Sequence, residues 1–147
     1  MMSGRLPEPV FAQRLPKDIL EEGDLFSPQF NEQGLIPAIT VDADTAETLM
    51  FAWMNEEALK CTLRTGEVWY WSRSRGELWH KGATSGQIQE VIELRTDCDQ
   101  DVVLLKVRPR SPGACHVGYN SCFFRSVHMG SDGTVKLSFE ENEKIAK

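Results

Sequence analysis

Short apolar segments alternate with turn-forming residues along most of this chain, and that pattern limits the folds open to it. From Leu35 onward, runs rich in Val, Ile, Leu and aromatic residues are separated by clusters of Gly, Pro, Asp and Ser. Runs of this kind predict β-strands. The expected strands span residues 35–41, 48–54, 68–72, 78–81, 88–95, 102–107, 122–128 and 134–139, the last two forming a hairpin.

One segment has helical chemistry instead. Asn55 is a good N-cap, acidic residues follow in the first turn, and Gly66 can end the helix, so we predict a helix over about 56–65. One clear helix among many strands favours a mainly β (α+β) fold, a barrel-like or sandwich domain with a capping helix. Residues 1–34 hold four of the seven prolines and are expected to form a loosely packed N-terminal arm, with one helical turn near 17–22. Residues 35–147 are expected to form a single domain.

The composition and net charge of the chain argue against several classes of binding partner. The 147 residues carry 16 Lys plus Arg against 22 Asp plus Glu, a net charge of -6, which argues against nucleic acid or an anionic membrane as the partner. No apolar run approaches the roughly 20 residues that span a bilayer, and the first residues lack the apolar stretch of a signal peptide. We therefore expect a cytoplasmic protein whose four cysteines are free thiols or metal ligands, not disulfides.

The segment Asp97-Cys98-Asp99-Gln100-Asp101 concentrates acidic groups directly before an apolar run. If it is extended, the three aspartates share one side and Cys98 shares the other with Gln100. Clustered carboxylates suit a hard cation such as Mg²⁺. A calcium loop of the EF-hand type is excluded, because Val102 and Arg108 stand where it needs Gly and Glu. A solvated acidic turn is the alternative interpretation.

Three cysteines form a second set, Cys98, Cys115 and Cys122, separated by sixteen and then six residues. Three thiolates without an evident fourth ligand match an open catalytic zinc site, which lowers the pKa of its bound water. Unrelated buried thiols are the alternative, and Cys61 on the predicted helix is expected to be core. His116 could be a fourth ligand, a proton shuttle or a surface residue, whereas His80 and His128 are expected to be structural.

A basic island runs from Lys60 on the helix to Lys81 and includes Arg73 and Arg75, with the hydroxyl loop Thr84-Ser85 after it. Guanidinium groups, an ammonium and hydroxyl donors are the usual ligands of phosphate. The tryptophans nearby, Trp79 among them, are either core residues or a stacking surface for a purine. A salt-bridged hairpin with a polar turn is the alternative.

Together these motifs resemble phosphoribosyl-AMP cyclohydrolase of histidine biosynthesis over about residues 39–125. The motifs that carry the resemblance are Phe51-Ala-Trp-Met-Asn55, Tyr70-Trp-Ser-Arg-Ser-Arg75, Lys81-Gly82, Thr84-Ser-Gly86, Asp97-Cys-Asp-Gln-Asp101, Ala114-Cys-His116 and Ser121-Cys-Phe123. The resemblance implies water-driven opening of the N1–C6 bond of the adenine ring of 1-(5-phosphoribosyl)-AMP. It also implies an intertwined homodimer with zinc ligands from both subunits.

Carried over by position, the resemblance makes Cys98, Cys115 and Cys122 the zinc ligands and His116 the proton-transfer residue. It makes Asp97, Asp99 and Asp101 the magnesium ligands. The expected substrate contacts are Arg73, Arg75, Trp79, Lys81, Thr84 and Ser85.

The chain departs from the family pattern at Ala83, where an acidic residue is expected, and at Val117, where a hydroxyl residue is expected. Neither change removes an expected metal ligand; both bear only on side chains next to the expected substrate contacts. About twenty residues follow Arg125, so we expect this one reaction and no fused second enzyme. Two alternatives stay open: another zinc-dependent purine hydrolase, although the deaminase signature is absent, or a non-catalytic module with a structural metal.

Overall fold

The computed structural model describes residues 7–111 and 113–139, in which strands greatly outnumber helices. The mainly β class is thereby confirmed. In chain order the elements are α1 (Lys17–Glu22), β1 (Leu35–Asp42), β2 (Thr48–Asn55), α2 (Glu56–Thr65), β3 (Trp69–Ser72), β4 (Glu77–His80), β5 (Gln89–Thr96), β6 (Val103–Pro109), β7 (Arg125–Met129) and β8 (Val135–Phe139).

Six strands form one curled sheet in the order β4-β3-β2-β1-β6-β5. β1 pairs with β6 in parallel, and the other neighbours are antiparallel. The segment just before β3 bridges back to β5, because the Val68 N–H donates to the Gln89 carbonyl at 3.1 Å and the Val91 N–H donates to the Gly66 carbonyl at 2.8 Å. The sheet therefore closes part of the way into a barrel, as the sequence predicts.

The core lies between the concave face of this sheet and α2. Alternate residues of β1 and β6 are fully buried, among them Ile36, Ala38 and Leu105, as expected for strands with one face inward. The α2 helix begins where the Asn55 side chain accepts a hydrogen bond from the Ala58 N–H at 2.8 Å. It ends at Gly66 in the left-handed conformation, and it buries Cys61, which confirms that thiol as a core residue.

The N-terminal arm packs more closely than the sequence predicts. Its aromatic rings Phe11 and Phe26 meet edge to face at 5.5 Å and pack against the core together with Phe30. Gln100, far along the chain, accepts a hydrogen bond from the Ser27 N–H at 2.8 Å. Most residues of the arm are exposed and α1 buries none, so the arm is anchored at these points rather than packed throughout, and the helical turn at Lys17–Glu22 is confirmed.

A separate two-stranded sheet, the β7–β8 hairpin, stands outside the barrel with every residue exposed. Pairing of Val127 with Leu137 and of Met129 with Val135 places these side chains on one face. The opposite face carries Ser126, His128, Lys136 and Ser138. The predicted hairpin is thus confirmed, although its first strand begins at Arg125 and not at Cys122.

Among the described residues, no helix is long and apolar enough to cross a membrane.

Candidate active site

Residues 97–101, which we call the acid turn, join β5 to β6. The Gln100 N–H donates to the Asp97 carbonyl at 3.1 Å, and Gln100 has a φ of +57°, so the segment is a turn and not an extended strand. The Asp97 side chain closes it by accepting from the N–H groups of Asp101 at 3.0 Å and Val102 at 3.2 Å. The expectation of two ligand sets on opposite faces of one strand is therefore wrong.

The acid turn nevertheless gathers the three carboxylates. One oxygen of each aspartate lies within 4.8 Å of the others, and all three residues are exposed. A hydrogen bond with Asp97, together with desolvation and Asp99, raises the pKa of Asp101 to about 6. Although burial opposes it, hydrogen bonds from its neighbours and from backbone N–H groups lower the pKa of Asp97. Such mutual strain among oxygen donors suits a hard divalent cation.

Residues 113–122, which we call the thiol loop, present Cys115 and His116 on a tight turn. The Gly118 N–H donates to the Cys115 carbonyl at 3.0 Å, and the Cys115 N–H donates to the Tyr119 carbonyl at 3.2 Å. Gly118 has a φ of +107°, which favours glycine at the end of this turn. His116 therefore lies exposed at the tip, beside a buried Cys115.

The second half of the thiol loop is tied to the start of β2. The Ser121 hydroxyl donates to the Thr48 carbonyl at 2.6 Å, and the Cys122 N–H donates to the Leu49 carbonyl at 2.7 Å. These contacts bring Cys122 to within hydrogen-bonding reach of Cys115. Desolvation and the neighbouring Cys115 raise the pKa of Cys122 to about 11, and the positive charge of Lys81 partly opposes that rise. Two neighbouring sulfurs are a suitable half of a soft-metal site.

A buried polar network lies inside the barrel around Tyr70, and the sequence reasoning missed it. The Tyr70 hydroxyl donates to Gln89 Oε1 at 2.8 Å and lies 2.6 Å from Thr40 Oγ1. Burial raises the pKa of Tyr70, and the hydrogen bond with Thr40 partly opposes that rise. The one sequence signal was the alternation Trp69-Tyr70-Trp71, which points the tyrosine inward on its strand.

Cys98 does not join this pair within one chain. It lies exposed in the acid turn. Over the residues that the structure describes, the three aspartates are the one set of at least three Cys, His, Asp or Glu side chains whose ligand atoms converge. A single chain thus brings together two of the three predicted zinc ligands and all three predicted magnesium ligands.

A cavity of about 450 Å³ opens beside the thiol loop. Most of the predicted substrate contacts and the predicted proton-transfer residue line this cavity: Arg75, Trp79, Lys81, Thr84, Ser85 and His116. Gln87 also lines it, and no sequence signal had indicated that residue. We call it the substrate cavity. Its size is within the range of small-molecule sites.

An adjoining depression of about 370 Å³ shares Arg75 and Trp79 with the substrate cavity. Arg73 lies here, with its guanidinium carbon 5.1 Å from the centre of the Trp53 ring. All six predicted substrate contacts therefore line one continuous surface. Trp53 is a further lining residue that the sequence reasoning left unassigned.

His80 and Lys81 are consecutive at the cavity wall but turn to different partners. His80 stacks on Trp69 at 4.4 Å and hydrogen-bonds Glu67 at 2.8 Å, a structural arrangement. The Lys81 ammonium donates to the Ala114 carbonyl at 2.9 Å.

Comparison with known proteins agrees with this geometry. The family model described as phosphoribosyl-AMP cyclohydrolase matches residues 50–124, a span that holds the acid turn, the thiol loop and the lining of the substrate cavity. The chain belongs to the phosphoribosyl-AMP cyclohydrolase family. This is a family of enzymes, so the substrate cavity, with the thiol loop that contributes His116 to it, is the candidate active site.

Individual relatives carry the same family name. The phosphoribosyl-AMP cyclohydrolase of Caulobacter vibrioides strain NA1000 is 58% identical over 122 residues, covering 82% of this chain and 88% of the relative. That of Brucella anthropi is 54% identical over 130 residues, covering 88% and 92%. That of Nitrobacter hamburgensis is 49% identical over 126 residues, covering 86% and 85%.

Proposed function

We propose that the chain hydrolyses the N1–C6 bond of the adenine ring in 1-(5-phosphoribosyl)-AMP, giving the phosphoribosyl-formimino-aminoimidazole carboxamide ribotide of histidine biosynthesis. One observation carries the proposal. His116, adjacent to the buried Cys115, shares a single cavity with Arg75, Thr84 and Ser85. A proton-transfer group and phosphate donors thus face one cavity, and the loop that carries His116 also carries Cys115 and Cys122, as this reaction requires.

In the proposed reaction, the oxygen of water bonds to C6 and the C6–N1 bond breaks. C6 becomes the carbonyl carbon of the carboxamide, retaining its amino group, and N1 leaves with a proton as part of the formimino group. His116 delivers that proton, because release of N1 in place of ammonia depends on protonating the ring nitrogen. The substrate phosphates bind Arg73, Arg75 and the Thr84-Ser85 loop, and Trp79 lies against the purine.

We propose that zinc is held by Cys115 and Cys122 of one chain and by Cys98 of a second copy. The neighbouring sulfurs of the first two fit a thiophilic ion, and an open fourth position leaves room for water. When bound, zinc supplies hydroxide near neutral pH by lowering the pKa of water.

We propose that Asp97, Asp99 and Asp101 hold Mg²⁺, because their oxygens converge and strain one another without a cation. Thiolate ligands persist in a reducing compartment, which supports a cytoplasmic location.

We propose that the active form is a homodimer, since one chain supplies an incomplete set of thiols. The apolar face of the β7–β8 hairpin, with Met129 75% and Val127 71% exposed, supports a second copy as its cover.

Sedimentation of wild-type protein is expected to give a dimer. Leu137→Lys on the apolar face is expected to give monomer with less zinc, whereas Ser138→Lys on the polar face leaves the dimer intact. A wild-type monomer with full zinc content would remove this part of the proposal.

The function itself is tested by incubating purified protein with 1-(5-phosphoribosyl)-AMP and following ultraviolet absorbance of the imidazole carboxamide product. AMP is the matched control substrate, because its N1 carries no ribosyl group and the ring is not activated. A chelator is expected to abolish turnover, and added zinc with magnesium to restore it. Release of ammonia in place of ring opening would instead indicate a deaminase.

A further inference from the structure

Lys81 is an unusually buried lysine. The residue is 5% exposed, whereas lysine side chains are almost always mostly in water unless they are paired. Its backbone is fixed as well, because the Lys81 N–H donates to the Val68 carbonyl at 3.1 Å, directly after β4. A buried ammonium must find partners inside the protein, which makes the partners of Lys81 informative.

The ammonium faces the thiol loop. It donates to the Ala114 carbonyl at 2.9 Å and lies 5.5 Å from the centre of the Trp79 ring. Ala114 directly precedes Cys115, and its N–H donates to the Asn120 carbonyl at 3.1 Å, closing the base of the loop. Lys81 thus anchors the point from which Cys115 and His116 project.

Lys81 also brings a positive charge to the loop that carries two of the proposed zinc ligands. Three thiolates around one Zn²⁺ retain one unit of negative charge, which is costly to bury. One ammonium beside them offsets that unit of charge. Charge and hydrogen bonding therefore favour the same role for this residue.

We propose that Lys81 is a positioning residue for the thiol centre, holding the Cys115–His116 turn through the Ala114 carbonyl and balancing the charge of the thiolates, and is not a ligand of the substrate phosphates. This proposal rests on the proposed zinc site. It reassigns a residue that the basic island had suggested for phosphate binding, because the ammonium meets the loop backbone. Arg73 and Arg75 then remain the cationic phosphate ligands.

The test compares Lys81→Met with Lys106→Met in the full-length protein. Lys106, on β6, has a side chain 39% exposed and an ion pair with Glu93 at 3.4 Å, so its replacement removes an equal charge away from the thiol loop. Zinc affinity is measured by competition with a chromogenic chelator, and amide hydrogen exchange of residues 113–122 is measured by mass spectrometry in metal-free protein. A variant Lys81→Arg restores the charge and a donor.

Lys81→Met is expected to weaken zinc binding by roughly 10- to 100-fold, the usual effect of losing an outer partner of a metal ligand. Exchange in the thiol loop should accelerate in the same variant. Lys106→Met should change neither, and Lys81→Arg should recover part of the affinity. Unchanged zinc affinity and exchange, with a raised KM, would overturn the proposal and return Lys81 to phosphate binding. If wild-type protein catalyses ring opening without taking up zinc, the zinc site and the charge-balancing role both fail, while the exchange measurement separately decides the loop anchor.

Discussion

Gln100 is the side chain through which the N-terminal arm holds the acid turn in place. The residue is 5% exposed, and its amide makes three hydrogen bonds to backbone. Oε1 accepts from the Ser27 N–H at 2.8 Å, while Nε2 donates to the carbonyls of Leu20 at 2.8 Å and Leu25 at 3.2 Å. Replacement by alanine removes all three and leaves their backbone partners without a donor or acceptor.

The expected loss of stability follows from these contacts. Each hydrogen bond contributes about 0.5–1.5 kcal/mol net, and a buried group left unsatisfied adds its own penalty, so Gln100→Ala should destabilise by about 2–4 kcal/mol. Gln100 also has a φ of +57°, a conformation that costs most residues roughly 1–2 kcal/mol but suits glycine. Gln100→Gly should therefore lose about 1 kcal/mol less than Gln100→Ala, although both remove the same amide.

Urea unfolding of metal-free protein measures both values, with Gln33→Ala as the control at an exposed glutamine. The control should lie within about 0.5 kcal/mol of wild type. A loss below about 0.5 kcal/mol for Gln100→Ala would show that the arm is not held by this amide. A larger loss for glycine than for alanine would refute the backbone part of the reasoning.

Four further outcomes are expected. Asp99→Asn should weaken magnesium binding measured by calorimetry and leave zinc content unchanged, because the Asp97 side chain, and not that of Asp99, closes the acid turn; loss of zinc would contradict this. His116→Ala should fold and retain metal while kcat falls roughly 100-fold or more, the usual contribution of a proton-transfer residue, and an unchanged kcat would remove His116 from that role. Cys61 should be alkylated more slowly than Cys98 in a mass-spectrometric time course, because burial raises the pKa of Cys61 and Cys98 is exposed, and equal rates would contradict the burial. In metal-free protein, carbon NMR should show the Asp101 carboxyl titrating near pH 6. Because its pKa is raised in the folded state, protonation of Asp101 stabilises the fold fully below about pH 3.8, and this contribution is lost as pH rises through about 6. A titration midpoint near 3.8 would refute the coupling among the three aspartates.

The strands and the main helix were predictable because their signals are local. Alternating burial in β1 and the Asn55 and Gly66 caps of α2 are written into neighbouring residues. The acid turn was not predictable in the same way, because acidic residues at every second position fit both a strand and a turn. Asp97 decided the outcome by capping two backbone N–H groups, which removes them from the strand ladder.

The N-terminal arm shows why nonlocal contacts escape such reasoning. Its prolines indicated a loose segment, yet Ser27 is held by Gln100, 73 residues away in sequence. The parallel pairing of β1 with β6 is equally nonlocal, because the residues of neither strand indicate which other strand it pairs with. Of the candidate site, residue types and chemistry were therefore predictable, whereas the convergence of Arg75 and His116 on one cavity depends on that topology.

The separation of Cys98 from the other two thiols also follows from how the two loops are fixed. The acid turn is held to the N-terminal arm, where the Gln29 N–H donates to the Gln100 carbonyl at 2.7 Å. The thiol loop is held separately, to β2 through Cys122 and to the barrel wall through Lys81. Bringing Cys98 to the pair within one chain would break one of these sets of hydrogen bonds, each bond contributing about 0.5–1.5 kcal/mol net. In the proposed dimer, a second copy covering the apolar face of the β7–β8 hairpin, which begins three residues after Cys122, would complete the proposed metal site without that cost. Dimerisation and zinc binding are then expected to be thermodynamically linked, each strengthening the other.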